Sequence, residues 1–152
     1  MAEYVLLDSS PLGLACGNPR RSQTAHCLTW IDSLLARGVI LYVPEIADYE
    51  VRRERTRIGA APSLLQLDAL VTHRGLRYAP ITTVQMRRAA ELWADARNRG
   101  VPTASRDALD ADVILAACAA TIGQAGDQII VATNNVGHLA RYCDARIWTT
   151  IT

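Results

Sequence analysis

The chain has 152 residues, half of them hydrophobic and a fifth charged, with a formal net charge of +1. That length suits one domain, spanning 1–152, able to bury about two-thirds of the surface an unfolded chain exposes. The charge balance excludes a global field for nucleic acid, and Cys16, Cys27, Cys118 and Cys143 show neither a CxxC pair nor a zinc-like spacing with His26, His73 or His138.

Taken in order, residues 4–8 are a short apolar run that predicts a buried strand ending at Asp8. Gly13, Gly17 and Asn18 break the stretch from Pro11 to Pro19, which is read as loop. Ser22 is placed to cap a helix running to about Arg37, with Leu28, Ile31 and Leu35 on its apolar face and Gly38 as its stop. Residues 39–43 predict a second buried strand, closed by Pro44, and a helix follows from about Glu45 to Arg57. After the break at Gly59–Pro62, a further helix is expected from Ser63 to about His73. Its Leu64, Leu65, Leu67 and Leu70 suit core packing more than an exposed interface.

Arg77–Ile81 predicts a weak edge strand, because Pro80 lacks a ladder donor. Thr82 and Gln85 form a capping-box pattern, and the helix behind them aligns Met86, Ala89, Ala90, Trp93 and Arg97. Asp110 to Gly123 reads as a small-residue helix, 128–132 as a buried strand, Asn135 to Tyr142 as a short helix, and Arg146–Thr149 as a last strand. Strands alternating with helices predict an α/β layer fold with a mainly parallel sheet. In such sheets ligands sit beyond the carboxyl ends of the strands. Asp8 and Thr133–Asn135 then meet if the first and fourth strands are neighbours.

Four polar stations follow apolar runs: Asp8; the helix carrying Glu50; Asp110 with Asp112; and Thr133 with Asn135. Each has a plain structural use, as a turn, a cap or a surface ion pair. Asp110 and Asp112 point in different directions, so one is expected to cap its helix while the other faces the cleft. Together the stations gather hard oxygen donors, the chemistry of a divalent-metal site that handles phosphate. All 16 basic residues are arginine, and Arg52, Arg53, Arg55 and Arg57 cluster past Glu50. They suit an RNA backbone or an acidic partner, or equally a solvated helix face paired with Glu50 and Glu54. No GxGxxG, P-loop or HExxH pattern is present.

These motifs resemble the PIN-domain family, close to the VapC-type toxins of bacterial toxin–antitoxin pairs, along essentially the whole chain. Leu6-Leu7-Asp8-Ser9-Ser10 resembles the opening strand with its metal-binding Asp. Val43-Pro44-Glu45-Ile46-Ala47-Asp48-Tyr49-Glu50-Val51 resembles the second motif, whose Glu falls on Glu50, with Asp48 and Glu45 as weaker claimants. Asp112-Val113-Ile114-Leu115-Ala116-Ala117 resembles the D-x-x-I-A-A signature. Val131 to Leu139 resembles the final motif, with Thr133 and Asn135 as its site residues. Many relatives carry Asp where this chain has Asn135 or His138, so three carboxylates remain.

The resemblance implies a three-layer α/β/α sandwich and a Mg²⁺- or Mn²⁺-dependent endoribonuclease, the toxin of a type II pair. It assigns the metal to Asp8, Asp112 and Glu50, catalysis to these with Asn135, and accessory roles to Asp110 and Thr133. Arg52, Arg53 and Arg106 are the candidates for RNA or antitoxin contact, and a homodimer is expected. Two alternatives stand beside it: a PIN ribonuclease of RNA processing without an antitoxin, and a PIN-like binding module that has lost catalysis. No secretory leader or membrane span is read from the sequence, so a reducing cytoplasm is expected.

Overall fold

The computed structural model describes residues 1–101 and 110–152. Five strands, β1 (Glu3–Leu7), β2 (Ile40–Pro44), β3 (Arg77–Ala79), β4 (Gln128–Thr133) and β5 (Ala145–Ile147), form one sheet in the order β3-β2-β1-β4-β5. Every pairing is parallel. The chain winds outward from β1 to β3, then returns to β4 on the other side of β1. That reversal makes the β1–β4 boundary the switch point.

Alternate residues of the central strands feed two cores, as a two-residue period requires. Val5, Leu7, Leu41, Val43, Ile130 and Ala132 join one cluster. Against it pack α1 (Ser9–Ala15), α2 (Ser22–Ala36) and α4 (Ala61–Thr72), with Trp148 and Ile151 from the end of the chain. Leu6 and Val131 join the other cluster, under α5 (Thr83–Asn98) and α6 (Ala111–Ile122). Helix α3 (Glu45–Arg57) gives Ala47 and Val51 to the first core and Ile46 to the second. The result is a three-layer α/β/α sandwich with a wholly parallel sheet, as expected.

The helix ends follow local chemistry. Gly38, at φ 83°, closes α2 with a paired turn in which Val39 N–H donates to Leu34 O and Gly38 N–H to Leu35 O. Thr82 and Gln85 make both bonds of the capping box at α5.

Several expectations need correction. Of the stretch expected as loop, Pro11–Ala15 is helix and only 16–19 is not: α1 starts at Ser9 because the Asp8 carboxylate accepts from Ser9 N–H, and Pro11 sits in the first turn, where a missing N–H costs nothing. Arg21, not Ser22, stands at the N-cap of α2, and no side chain bonds there. On α5 the inward stripe is Gln85, Ala89, Leu92, Trp93 and Ala96, while Met86 and Ala90 are exposed. The helix expected over Asn135–Tyr142 shrinks to a single 3-10 turn, Leu139–Arg141, and β5 ends at Ile147 before another such turn. On α4, Leu67 and Leu70 are buried and Leu65 is exposed.

Candidate functional site

The pairing of β1 with β4 sets Leu7 opposite Ala132. Asp8 extends the pairing by one bond, its N–H donating to Ala132 O at 2.9 Å. Its two carboxylate oxygens then divide their work. One accepts from Ser9 N–H at 2.7 Å, and the other accepts from Thr133 Oγ1 at 2.8 Å. Asp8 is therefore both the cap of α1 and a fixed anion at the switch point. Thr133 is buried, and its hydroxyl also accepts from Asn135 N–H at 3.1 Å. The turn beyond it is tied to α1 by Asn134 N–H donating to Ser10 Oγ at 2.9 Å. Asn135 itself is exposed at the rim.

Glu50 and Asp112 reach the same place from α3 and α6. Glu50 is half-buried, and its carboxyl lies above its ordinary pKa, first because burial disfavours the anion, then because Asp8 is near. Arg53 and a hydrogen bond from Ser9 work in the opposite sense, and Asp112 adds to the rise. Asp112 is raised too, by burial, then by the charges of Asp8 and Asp110, with His138 opposing. Burial pushes the Cys143 thiol up to about 12, with Asp144, Asp112 and Asp8 adding to the rise. Three carboxylates from β1's end, α3 and α6 thus share one electrostatic field.

Asp110 is the cap of the expected pair: its side chain accepts from Val113 N–H, and the residue is buried. The weaker claimants of the second motif have structural work. Asp48 is buried, receives Arg52 Nε at 2.9 Å and accepts from the Tyr78 hydroxyl at 2.8 Å. Glu45 accepts from Ile81 N–H at 3.1 Å. The Arg52 guanidinium, a candidate for RNA or antitoxin contact, bridges Asp48 and Asp68, at 2.9 and 2.7 Å. Arg53 stacks over Tyr49, 5.2 Å from the ring centroid, near Glu50. Arg106 lies outside the described residues. Sequence reading missed Ser9 as a partner of Glu50 and Arg55 as a wall of the neighbouring groove; no spacing rule links α1 to α3, so no signal pointed to them.

The donors Asp8, Glu50 and Asp112 are all hard oxygens, the set that suits Mg²⁺ or Mn²⁺. Among the described residues no group of three or more His, Cys, Asp and Glu side chains lies close enough together to hold a metal ion by itself. Mg²⁺ keeps several waters and takes only one or two protein carboxylates directly, so Asp8 and Asp112 would be enough to hold it. Glu50 and Asp112 are both raised, first by burial and then by Asp8, an excess of negative charge that a cation would relieve.

No protein-family model matches the chain. No curated protein matches it. Solved structures do. A chain of VapBC2 from Rickettsia felis, bound to a DNA fragment from their promoter, superposes with a TM-score of 0.69 at 15% identity, covering 94% of this chain and 97% of that one. A chain of DNA-bound VapBC from Salmonella typhimurium gives 0.68 at 15% identity, covering 97% and 99%. A chain of FitAB bound to an IR36 DNA fragment gives 0.61 at 19% identity, covering 97% of each. The chain has the fold found in these VapBC and FitAB complexes, the PIN-like α/β/α sandwich that its four motifs imply.

Proposed function

We propose that the chain is a Mg²⁺- or Mn²⁺-dependent endoribonuclease acting as the toxin of a type II toxin–antitoxin pair. The observation that carries this reading is that Glu50, from α3, and Asp112, from α6, both feel the charge of Asp8 at the β1–β4 switch point. Asp8 and Asp112 would hold the metal, with Glu50 completing the set or acting beside it. When bound, the divalent cation supplies a charge that neutralises phosphate oxygens and eases loss of a proton from water. Glu50 would take that proton as water adds to phosphorus and the bond to the leaving oxygen breaks. Thr133 fixes Asp8 through its hydroxyl. The exposed Asn135 amide would donate to a phosphate oxygen.

The antitoxin and homodimer parts rest on the fold shared with chains of VapBC and FitAB complexes and on the motif resemblance. A cytoplasmic setting goes with that reading; among the described residues no helix is long and apolar enough to cross a membrane. The test is cleavage of a structured RNA pool with Mn²⁺, Mg²⁺ or EDTA, beside Asp112→Asn. Metal-dependent cutting that disappears in the variant is expected. A folded protein that neither cuts nor binds Mn²⁺ would instead be a PIN-like binding module. Cutting by a protein whose gene has no small neighbouring reading frame would favour the RNA-processing enzyme.

A further inference from the structure

We propose that the groove between α1 and α3 is a phosphate subsite that holds a single RNA strand next to the bond being cut, with Arg53 and Arg55 as its ligands. The inference rests on the ribonuclease reading and goes beyond it by naming where the strand runs.

A groove of about 370 Å³ opens directly from Glu50 and is walled by Ser9, Ser10, Gly13, Arg53 and Arg55. Two of these touch the acidic site itself, since Ser9 bonds Glu50 and Ser10 receives Asn134 N–H. Arg55 differs from most of its neighbours. Arg52 and Arg57 are held by Asp48, Asp68 and Glu54. Arg55 makes one hydrogen bond among the described residues, from Nη2 to Gly13 O at 3.3 Å, and its Nε is buried without a partner. Among the described residues no carboxylate comes within ion-pair distance of Arg55 or Arg53, although the Glu50 charge feels Arg53 and the Glu54 charge feels both. Glu54 also borders the groove, but Arg57 grips both its oxygens.

At 1.5 Å per residue, Arg53 and Arg55 stand about 4.5 and 7.5 Å beyond Glu50 along the axis of α3, and both side chains reach the same groove. Arg55 also forms part of the wall of a larger cavity, about 750 Å³, bordered by Arg21, Gln23 and Gln66. Gly13 and Arg55 line both cavities, so the Arg55 guanidinium stands at the border of the groove beside Glu50 and the wider space. Guanidinium groups bind phosphate through forked pairs of N–H donors, and a phosphate there would meet two arginines that hold no carboxylate within ion-pair distance among the described residues.

The test is binding of a short single-stranded RNA to Asp112→Asn protein, which does not cut, across a salt series with Mg²⁺ present. Each phosphate contact contributes about 0.7 to the slope of log affinity against log salt for single strands. Adding Arg55→Gln, or Arg53→Gln, is expected to flatten that slope by about one contact and weaken binding several-fold. Arg55→Lys is expected to keep the slope while lowering affinity, because the charge stays and the fork is lost. Arg99→Gln, on the far end of α5 and paired with Asp95, is the control and leaves the slope alone. An unchanged slope in folded Arg55→Gln and Arg53→Gln proteins overturns the subsite alone. So does loss of binding to an acidic peptide with RNA binding intact, which would give the groove to a protein partner. Failure of the parent protein to bind RNA overturns both this inference and the ribonuclease reading.

Discussion

Thr133 Oγ1 donates to Asp8 Oδ2 at 2.8 Å, joining the ends of two neighbouring strands that lie 125 residues apart in sequence. The bond fixes one oxygen of Asp8 and, because Ser9 N–H occupies the other, locks the carboxylate plane. Thr133→Val keeps the side chain's shape and removes the donor. Mn²⁺ affinity measured by calorimetry is expected to fall about 10–100-fold, the usual effect of removing a group that orients a ligand. Thr133→Ser should restore most of it, and an unaltered affinity in the valine variant would remove Thr133 from the site.

Asp112→Asn is expected to abolish cleavage and, in metal-free buffer, to make the protein more stable. The half-buried Asp112 anion is opposed by burial and by Asp8 and Asp110, so a neutral amide relieves that opposition. A gain of about 2–4 °C in melting temperature corresponds to roughly 1 kcal/mol in a chain of this size. Calorimetric melting with EDTA checks it, and a lower melting temperature would mean that Asp112 is held by favourable contacts.

The pH dependence has a definite sign. Glu50 and Asp112 hold their protons more tightly in the folded protein than in the unfolded chain. Between the ordinary carboxylate value, about 4, and their raised folded values, the folded state binds more protons, so stability from these two groups falls as pH rises through that window. Below the window the penalty is absent; above it the penalty is complete. Metal binding runs the other way, since protons compete for the same oxygens, and affinity is expected to weaken as pH falls. Melting curves and Mn²⁺ titrations at several pH values read both slopes.

Arg52→Ala is expected to cost about 1–3 kcal/mol of stability, because it strips a charged partner from buried Asp48 and from Asp68. Activity per folded molecule should stay within about twofold of the parent, as the residue is turned toward α4 rather than the acidic cluster. Urea unfolding beside RNA cleavage separates the two effects; a stable protein with lost activity would return Arg52 to the substrate.

Thr82→Ala tests the capping box at α5. Loss of the bond to Gln85 N–H is expected to cost about 1 kcal/mol, read from the urea midpoint, with no change in Mn²⁺ affinity.

Much of this architecture was legible in the chain because its strands are short, continuous apolar runs with hard stops. β2 and α3 meet at Pro44 and Glu45, next to where proline closed the expected strand. Asp8 and Thr133 stood at strand ends, and parallel pairing brings such ends together. What was not legible depended on tertiary contacts. Helix α1 hides behind glycines and a proline that usually break a helix; it persists because Pro11, Leu12 and Ala15 bury against the sheet. The α5 stripe was misread by one helix step because Ala90 and Met86 share the period of the true face. The role of Arg55 depends on α1 lying across α3, which no local pattern encodes.

The order β3-β2-β1-β4-β5 also sets a timetable. The strand synthesised first lies in the middle of the sheet, and one of its two partners arrives only at Gln128–Thr133. During synthesis, α1 and the β1–β2 pair can form early, but Asp8 waits for a hydroxyl encoded more than a hundred codons later. A nascent chain that has not yet released residue 133 from the ribosome therefore carries its acids scattered. An RNA-cutting centre so assembled would stay harmless to the ribosome making it until β4 has emerged.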